Sequence, residues 1–74
     1  MKAIWQGERL KVRRKELGLT MAELAARVDV DRPLVSMWES GKSTPSGHFL
    51  VLLGIALNKE PKEFYVLEEG GAQR

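Results

Sequence analysis

Apolar residues return at intervals of three and four along most of the chain, interrupted by short clusters of glycine, proline and capping residues. That period is the helical one, because positions three and four apart share one face of an α-helix. The first such stretch spans Gln6 to Leu17, with Leu10, Arg14 and Leu17 on one side and Gly18 placed to end it. Thr20-Met21-Ala22-Glu23 reads as a capping box, in which Thr20 accepts from the Glu23 amide and Glu23 from the Thr20 amide. It opens a helix from Met21 to Val28 that sets Leu24, Ala25 and Val28 on one face. Only Asp29-Val30-Asp31 separates it from a third helix. Asp31 can cap that helix, and Pro33 falls in its first turn, where a missing amide hydrogen costs little. The third helix buries Val35 and Trp38 and runs to Ser40, before Gly41. Ser46 caps a fourth over residues 47–57, which Asn58 can end in a left-handed turn. Pro61 opens a fifth, reaching about Leu67 and carrying Phe64, Val66 and Leu67. No sustained polar–apolar alternation lies between hairpin turns, so no strand is expected. The pattern predicts an all-α, compact five-helix bundle over residues 1–67, with a flexible, polar and glycine-rich tail over 68–74.

Seventy-four residues place such a bundle near the lower size limit for a self-sufficient core. With no cysteine, neither a disulfide nor a thiolate metal site can assist, so apolar burial must hold the fold. The opening Met1-Lys2-Ala3-Ile4-Trp5-Gln6 lacks the apolar run of a secretory signal, and no segment is apolar enough to span a bilayer. A soluble, cytoplasmic protein with no membrane partner is the expectation. The net charge of +2 is unevenly spread: residues 1–42 carry nine Lys/Arg against six Asp/Glu, residues 43–74 three against four. The basic excess gathers at Arg9, Lys11, Arg13, Arg14 and Lys15, which suits either a solvated helix face or a phosphate-facing patch. Charge alone does not choose between them.

Catalysis finds little to work with. His48 is the sole histidine, there is no thiol, and no serine has a plausible base partner. One imidazole among scattered carboxylates makes no metal site, and Gly41 and Gly47 do not form a phosphate-cradling loop. The expectation is a binding protein, not an enzyme, with no metal and no cofactor.

Two helices of about eight residues joined by three residues have the spacing of a helix-turn-helix, residues 20–40 here. The unit asks for a small residue where the helices cross, which Ala25 supplies, and a turn residue tolerant of positive φ, which Asp29 can be. Val30 would point inward. With Gly7-Glu8-Arg9-Leu10, Arg14, Gly18-Leu19-Thr20, Leu24-Ala25, Val30, Val35-Ser36, Trp38-Glu39-Ser40-Gly41-Lys42, Pro45-Ser46 and Leu50, Leu53 and Leu57, the chain resembles the lambda-repressor/Cro-type (Xre) helix-turn-helix proteins over roughly residues 7–64. The resemblance implies a repressor-like transcriptional regulator that places its third helix, residues 31–40, in the major groove of double-stranded DNA.

Carried over by position, it pairs Arg14 with Glu39 as a structural ion pair and turns Arg32, Pro33, Leu34 and Met37 toward base edges. Arg32 could donate twice to a guanine, while Leu34 and Met37 could meet thymine methyls. Arg9, Thr20, Met21, Ser36, Lys42 and Ser43 fall where the backbone phosphates would lie. The sequence departs from the family at Met21, where glutamine is usual, at Asp29 in place of the turn glycine, and in the apolar character of Pro33, Leu34 and Met37. Helix 4 is apolar nearly all round, which points to burial on more than one side. A homodimer through Leu52, Ile55, Lys59, Phe64 and Tyr65 would set two recognition helices about 34 Å apart on a palindromic site; alternatively, the fifth helix covers that face. The competing function is a protein-binding module that keeps the fold and meets a protein partner through the apolar Pro33–Leu34–Met37 surface.

Overall fold

The computed structural model describes residues 1–69 of the chain. It contains β1 (Lys2–Trp5), α1 (Gly7–Glu16), α2 (Met21–Val28), α3 (Arg32–Ser40), α4 (Gly47–Leu57), a 3-10 turn (Pro61–Phe64) and β2 (Tyr65–Glu68). The first four predicted helices are present. The fifth is not, and the five-helix, all-α expectation gives way to four helices with a small sheet. Pro61 does open a helical turn, but it lasts only four residues. From Tyr65 the chain is extended and pairs antiparallel with β1, in the register Lys2↔Glu68, Ala3↔Leu67, Ile4↔Val66 and Trp5↔Tyr65. Tyr65 and Val66 favour strand over helix, and the partner that satisfies their backbone lies at the other end of the chain. A hydrogen bond from the Gln6 amide to the Phe64 carbonyl (2.8 Å) continues the ladder into α1. Of the tail expected over 68–74, Glu68 belongs to β2, while residues 70–74 lie outside the described residues. Among the described residues no helix is long and apolar enough to cross a membrane.

The helix ends follow their local chemistry. Thr20 accepts from the Glu23 amide at 3.0 Å and the Thr20 amide donates to Glu23 at 2.8 Å, closing the capping box. Asp29 takes the left-handed conformation at φ 66°, and the Val30 amide turns back to the Ala25 carbonyl (2.9 Å), which makes the three-residue turn. Asp31 and Ser46 occupy the N-cap positions of α3 and α4 with no side-chain cap bond. Leu17 is 41% exposed at the end of α1 rather than on its packing side, and buried Leu19 fills the core there.

Hydrogen bonds to the Thr20 backbone and hydroxyl hold the Glu23 carboxyl below its ordinary value of 4.5. The Glu60 amide and the Lys59 ammonium do the same for Glu63. Both groups bind protons less readily when folded, so their contribution is complete above the ordinary carboxylate range and is lost as pH falls through the depressed folded values. Melting temperature followed from pH 7 to pH 2 should therefore fall less steeply in Glu23→Gln than in the parent. Parallel curves would show that the cap carries no pH-dependent stability.

The core gathers Leu10, Leu24, Val28, Val35, Trp38, Leu53, Leu57 and Phe64, all at or below 2% exposure. Gly7, at the start of α1, lies against the last turn of α3, where a Cβ would come 2.3 Å from the Trp38 carbonyl oxygen and 2.4 Å from that of Glu39. Since both obstacles are backbone, Gly7→Ala must displace α1 from α3 and should cost about 1–3 kcal/mol, on the scale of other overpacking changes. Gly47→Ala, with nothing within 4 Å of the added carbon, should not destabilise. Urea denaturation of the two variants checks the contrast.

Candidate nucleic-acid interface

The buried side of α3 is held by α1. Arg14 Nε donates to Glu39 Oε2 at 2.6 Å and Arg14 Nη2 to Glu39 Oε1 at 3.0 Å, a two-pronged pairing. Arg14 Nη1 donates to the Leu19 carbonyl at 2.8 Å, so the same guanidinium also fixes the loop before α2. Arg14 is 6% and Glu39 8% exposed. The hydrogen bond to Glu39 raises the Arg14 pKa above its ordinary value, outweighing the opposing effect of burial. A second brace is the Trp5 indole, whose Nε1 donates to the Trp38 carbonyl (2.8 Å) while its ring packs against Phe64 and Tyr65. This brace depends on the β1–β2 pairing and has no local signature in the sequence.

With one side so anchored, α3 leaves Arg32, Pro33 and Met37 exposed, and Leu34 half-buried against the core. At the N-terminus of α2, Thr20 is exposed and Met21 half-buried. Ser36 and Ser43 are half-buried and Lys42 is exposed. The Lys42 and Ser43 amides both donate to the Met37 carbonyl (3.0 and 3.3 Å), closing the end of α3, so these residues can offer only their side chains outward.

The side chains of the basic cluster of α1 go to different places. Arg9 Nη1 donates to the carbonyls of Glu63 (3.3 Å) and Tyr65 (3.0 Å), clamping the 3-10 turn and β2. It stands beside Val12, Arg13, Lys59, Glu63 and Phe64, apart from the residues expected to share its phosphate role. Arg13 Nε donates to the Leu57 carbonyl at the end of α4 (2.9 Å). Arg14 is buried with Glu39, whereas Lys11 borders a concavity with Met21, Ser36 and Ser40. Apart from Arg14, sequence alone could not sort these side chains, because their destinations lie on elements distant in the chain.

Of the residues expected at a dimer contact, Ile55 is 74% exposed, and Val51 beside it is 57% exposed. Lys59 and Tyr65 are half-buried. Leu52 packs partly on the chain's own core, and Phe64, at 2% exposure, is inside it and cannot reach a partner. The 3-10 turn replaces the expected fifth helix here and folds Phe64 inward, leaving the Val51–Ile55 side of α4 open.

Two short helices crossing through a three-residue turn opened by left-handed Asp29, with the second presenting a free face, define a helix-turn-helix protein. A helix-turn-helix family model matches residues 10–64, and the chain belongs to that family. It is 38% identical over 65 residues to an uncharacterized HTH-type transcriptional regulator of Methanothermobacter thermautotrophicus, covering 86% of this chain and 94% of that one. It is also 38% identical over 55 residues to repressor protein C2 of Salmonella phage P22, covering 74% of this chain but only 26% of the repressor. The crystal structure of the P22 c2 repressor with a synthetic operator superposes with a TM-score of 0.77 at 36% identity, over 78% of this chain and 88% of that one.

Proposed function

We propose that this chain is a DNA-binding transcriptional regulator, not an enzyme, which reads a duplex by laying the exposed face of α3 in the major groove. The observation that carries the reading is the anchoring of α3: Glu39 and Trp38 are buried and bonded on one side, while Arg32, Pro33 and Met37 stand free on the other. Relatives of the same fold include a regulator and a repressor solved with its operator, which supports the same use here. Arg32, at the first turn, is assigned to a guanine edge, and Leu34 and Met37 to thymine methyls, with Pro33 packed beside them. Thr20, Met21, Ser36, Lys42 and Ser43 are assigned to the sugar–phosphate backbone on either side.

A second copy is assigned to the open side of α4. Val51 and Ile55 border a shallow concavity of about 680 Å³ with Asn58, Lys59, Glu60 and Pro61. Closing that surface about a two-fold axis would bury the exposed apolar side chains and present paired recognition helices to a palindrome.

Titration of salt against binding to random-sequence duplex tests the DNA reading. Affinity should fall linearly on a log–log plot as salt rises, because each neutralised phosphate releases counterions. Absence of binding at low salt would overturn the reading in favour of a protein-binding role. On a bound site, Arg32→Ala should cost about 1–3 kcal/mol and relax preference at one base pair, whereas Lys42→Ala should weaken all sequences alike. Competition binding with single-base-pair operator variants separates the two.

A further inference from the structure

We propose that the concavity between the first turns of α1 and the outer flank of α3 is a seat for one backbone phosphate, with Lys11 as the cation that holds it. This assignment rests on the reading of α3 as the groove-entering helix and picks out one side chain from a basic cluster whose role the sequence left undecided.

The concavity measures about 590 Å³, and its walls include Trp5, Gly7, Lys11, Met21, Ser36 and Ser40. Among the described residues Lys11 is the one cation that lines it. It is half-buried and enters no ion pair among the described residues. Two carboxylates also border the space, Glu8 and Glu39. Glu39 has both oxygens engaged by Arg14, which balances its charge, and Glu8 is exposed. Of the other basic side chains of α1, Arg9 is committed to the β2 region, Arg13 to the end of α4 and Arg14 to Glu39, while Lys15 is exposed and does not line the concavity.

Position decides what the cation is for. Ser36 and Ser40 are one helical turn apart and form the α3 wall, next to the Pro33–Met37 stripe proposed to face bases. A recognition helix in the major groove has a sugar–phosphate strand running along each flank, and the helices packed behind it meet that strand. Met21 offers a phosphate no side-chain hydrogen bond, and the Trp5 indole, Gln6 side-chain amide and Ser40 hydroxyl already donate to carbonyls within the chain, so the Lys11 ammonium and the Ser36 hydroxyl are the donors that suit a phosphodiester oxygen.

The test compares the full chain with Lys11→Gln and Lys11→Arg by fluorescence anisotropy on a random-sequence duplex, between 50 and 200 mM salt. Lys11→Gln should lower the slope of log affinity against log salt by about one. The affinity ratio of parent to variant at 50 mM should then be about four times the ratio at 200 mM. Lys11→Arg should keep the parental slope, which a merely structural role for the lysine stem would not require. Parental and Lys11→Gln slopes that coincide, with both proteins bound, would overturn the phosphate seat and leave the DNA reading standing. A parent that does not bind at 50 mM would overturn the DNA reading, and the seat with it.

Discussion

Glu39→Ala is expected to destabilise the domain by about 3–5 kcal/mol, because it strands a buried guanidinium without its counter-charge. Arg14 stays 6% exposed against the core with only the Leu19 carbonyl left to receive a donor. At about 0.05–0.15 kcal/mol per residue, a chain of this length holds only about 4–11 kcal/mol of net stability, so the variant should sit near the edge of folding. Arg14→Lys keeps the charge but replaces a fork matched to two oxygens by a single ammonium, so it should be destabilising and milder than Glu39→Ala. The double change Arg14→Leu with Glu39→Leu should recover much of the loss, since replacing both members of a buried pair by apolar groups is often neutral. Chemical denaturation of the four proteins gives the ordering. A Glu39→Ala protein as stable as the parent would mean that the pair does not anchor α3.

The second large effect is expected at Trp38. Truncation to alanine should cost about 3–5 kcal/mol, from lost burial and the cavity left behind. Trp38 is 1% exposed, its ring lies 5.6 Å from that of Phe49 on α4, and its carbonyl accepts from the Trp5 indole. One residue therefore links the recognition helix to α4 and to the β1–β2 pair. Trp38→Phe retains most of the apolar contact and should lose markedly less. Wherever enough folded protein remains, weak DNA binding by Trp38→Ala should reflect the unfolded fraction. Saturating binding at low temperature with parental affinity per folded molecule would support that account.

How much of this was legible beforehand depends on how local the cause was. Thr20 and Glu23 cap across three residues, and Asp29 and Asn58 were marked for left-handed backbone because their short polar side chains tolerate it; φ is 66° and 55°. The Arg14–Glu39 fork was expected on the family pattern, and its geometry agrees with that role. The apolar period of α1 to α4 placed their boundaries within a residue or two. What failed was non-local. Lys2–Trp5 and Tyr65–Glu68 carry no hairpin turn and too few residues for alternation to register, and each becomes a strand only because the other is present. That pairing pulls Phe64 into the core, where a continued helix would have left it at the rim. Arg9 likewise went to carbonyls that exist in place only once the strand has formed. The candidate interface on α3 was readable because it depends on the local turn; the surroundings of α1 were not.

Selection of bound sequences from a random duplex pool is the measurement that bears most directly on α3 as a DNA-reading helix. The parent protein should enrich a two-fold symmetric sequence whose half-sites lie about one helical turn apart, and Arg32→Ala should enrich the same sequence with preference lost at one symmetric pair of positions. A pool that stays unenriched, or an Arg32→Ala protein that selects the parental sequence unchanged at every position, would contradict it.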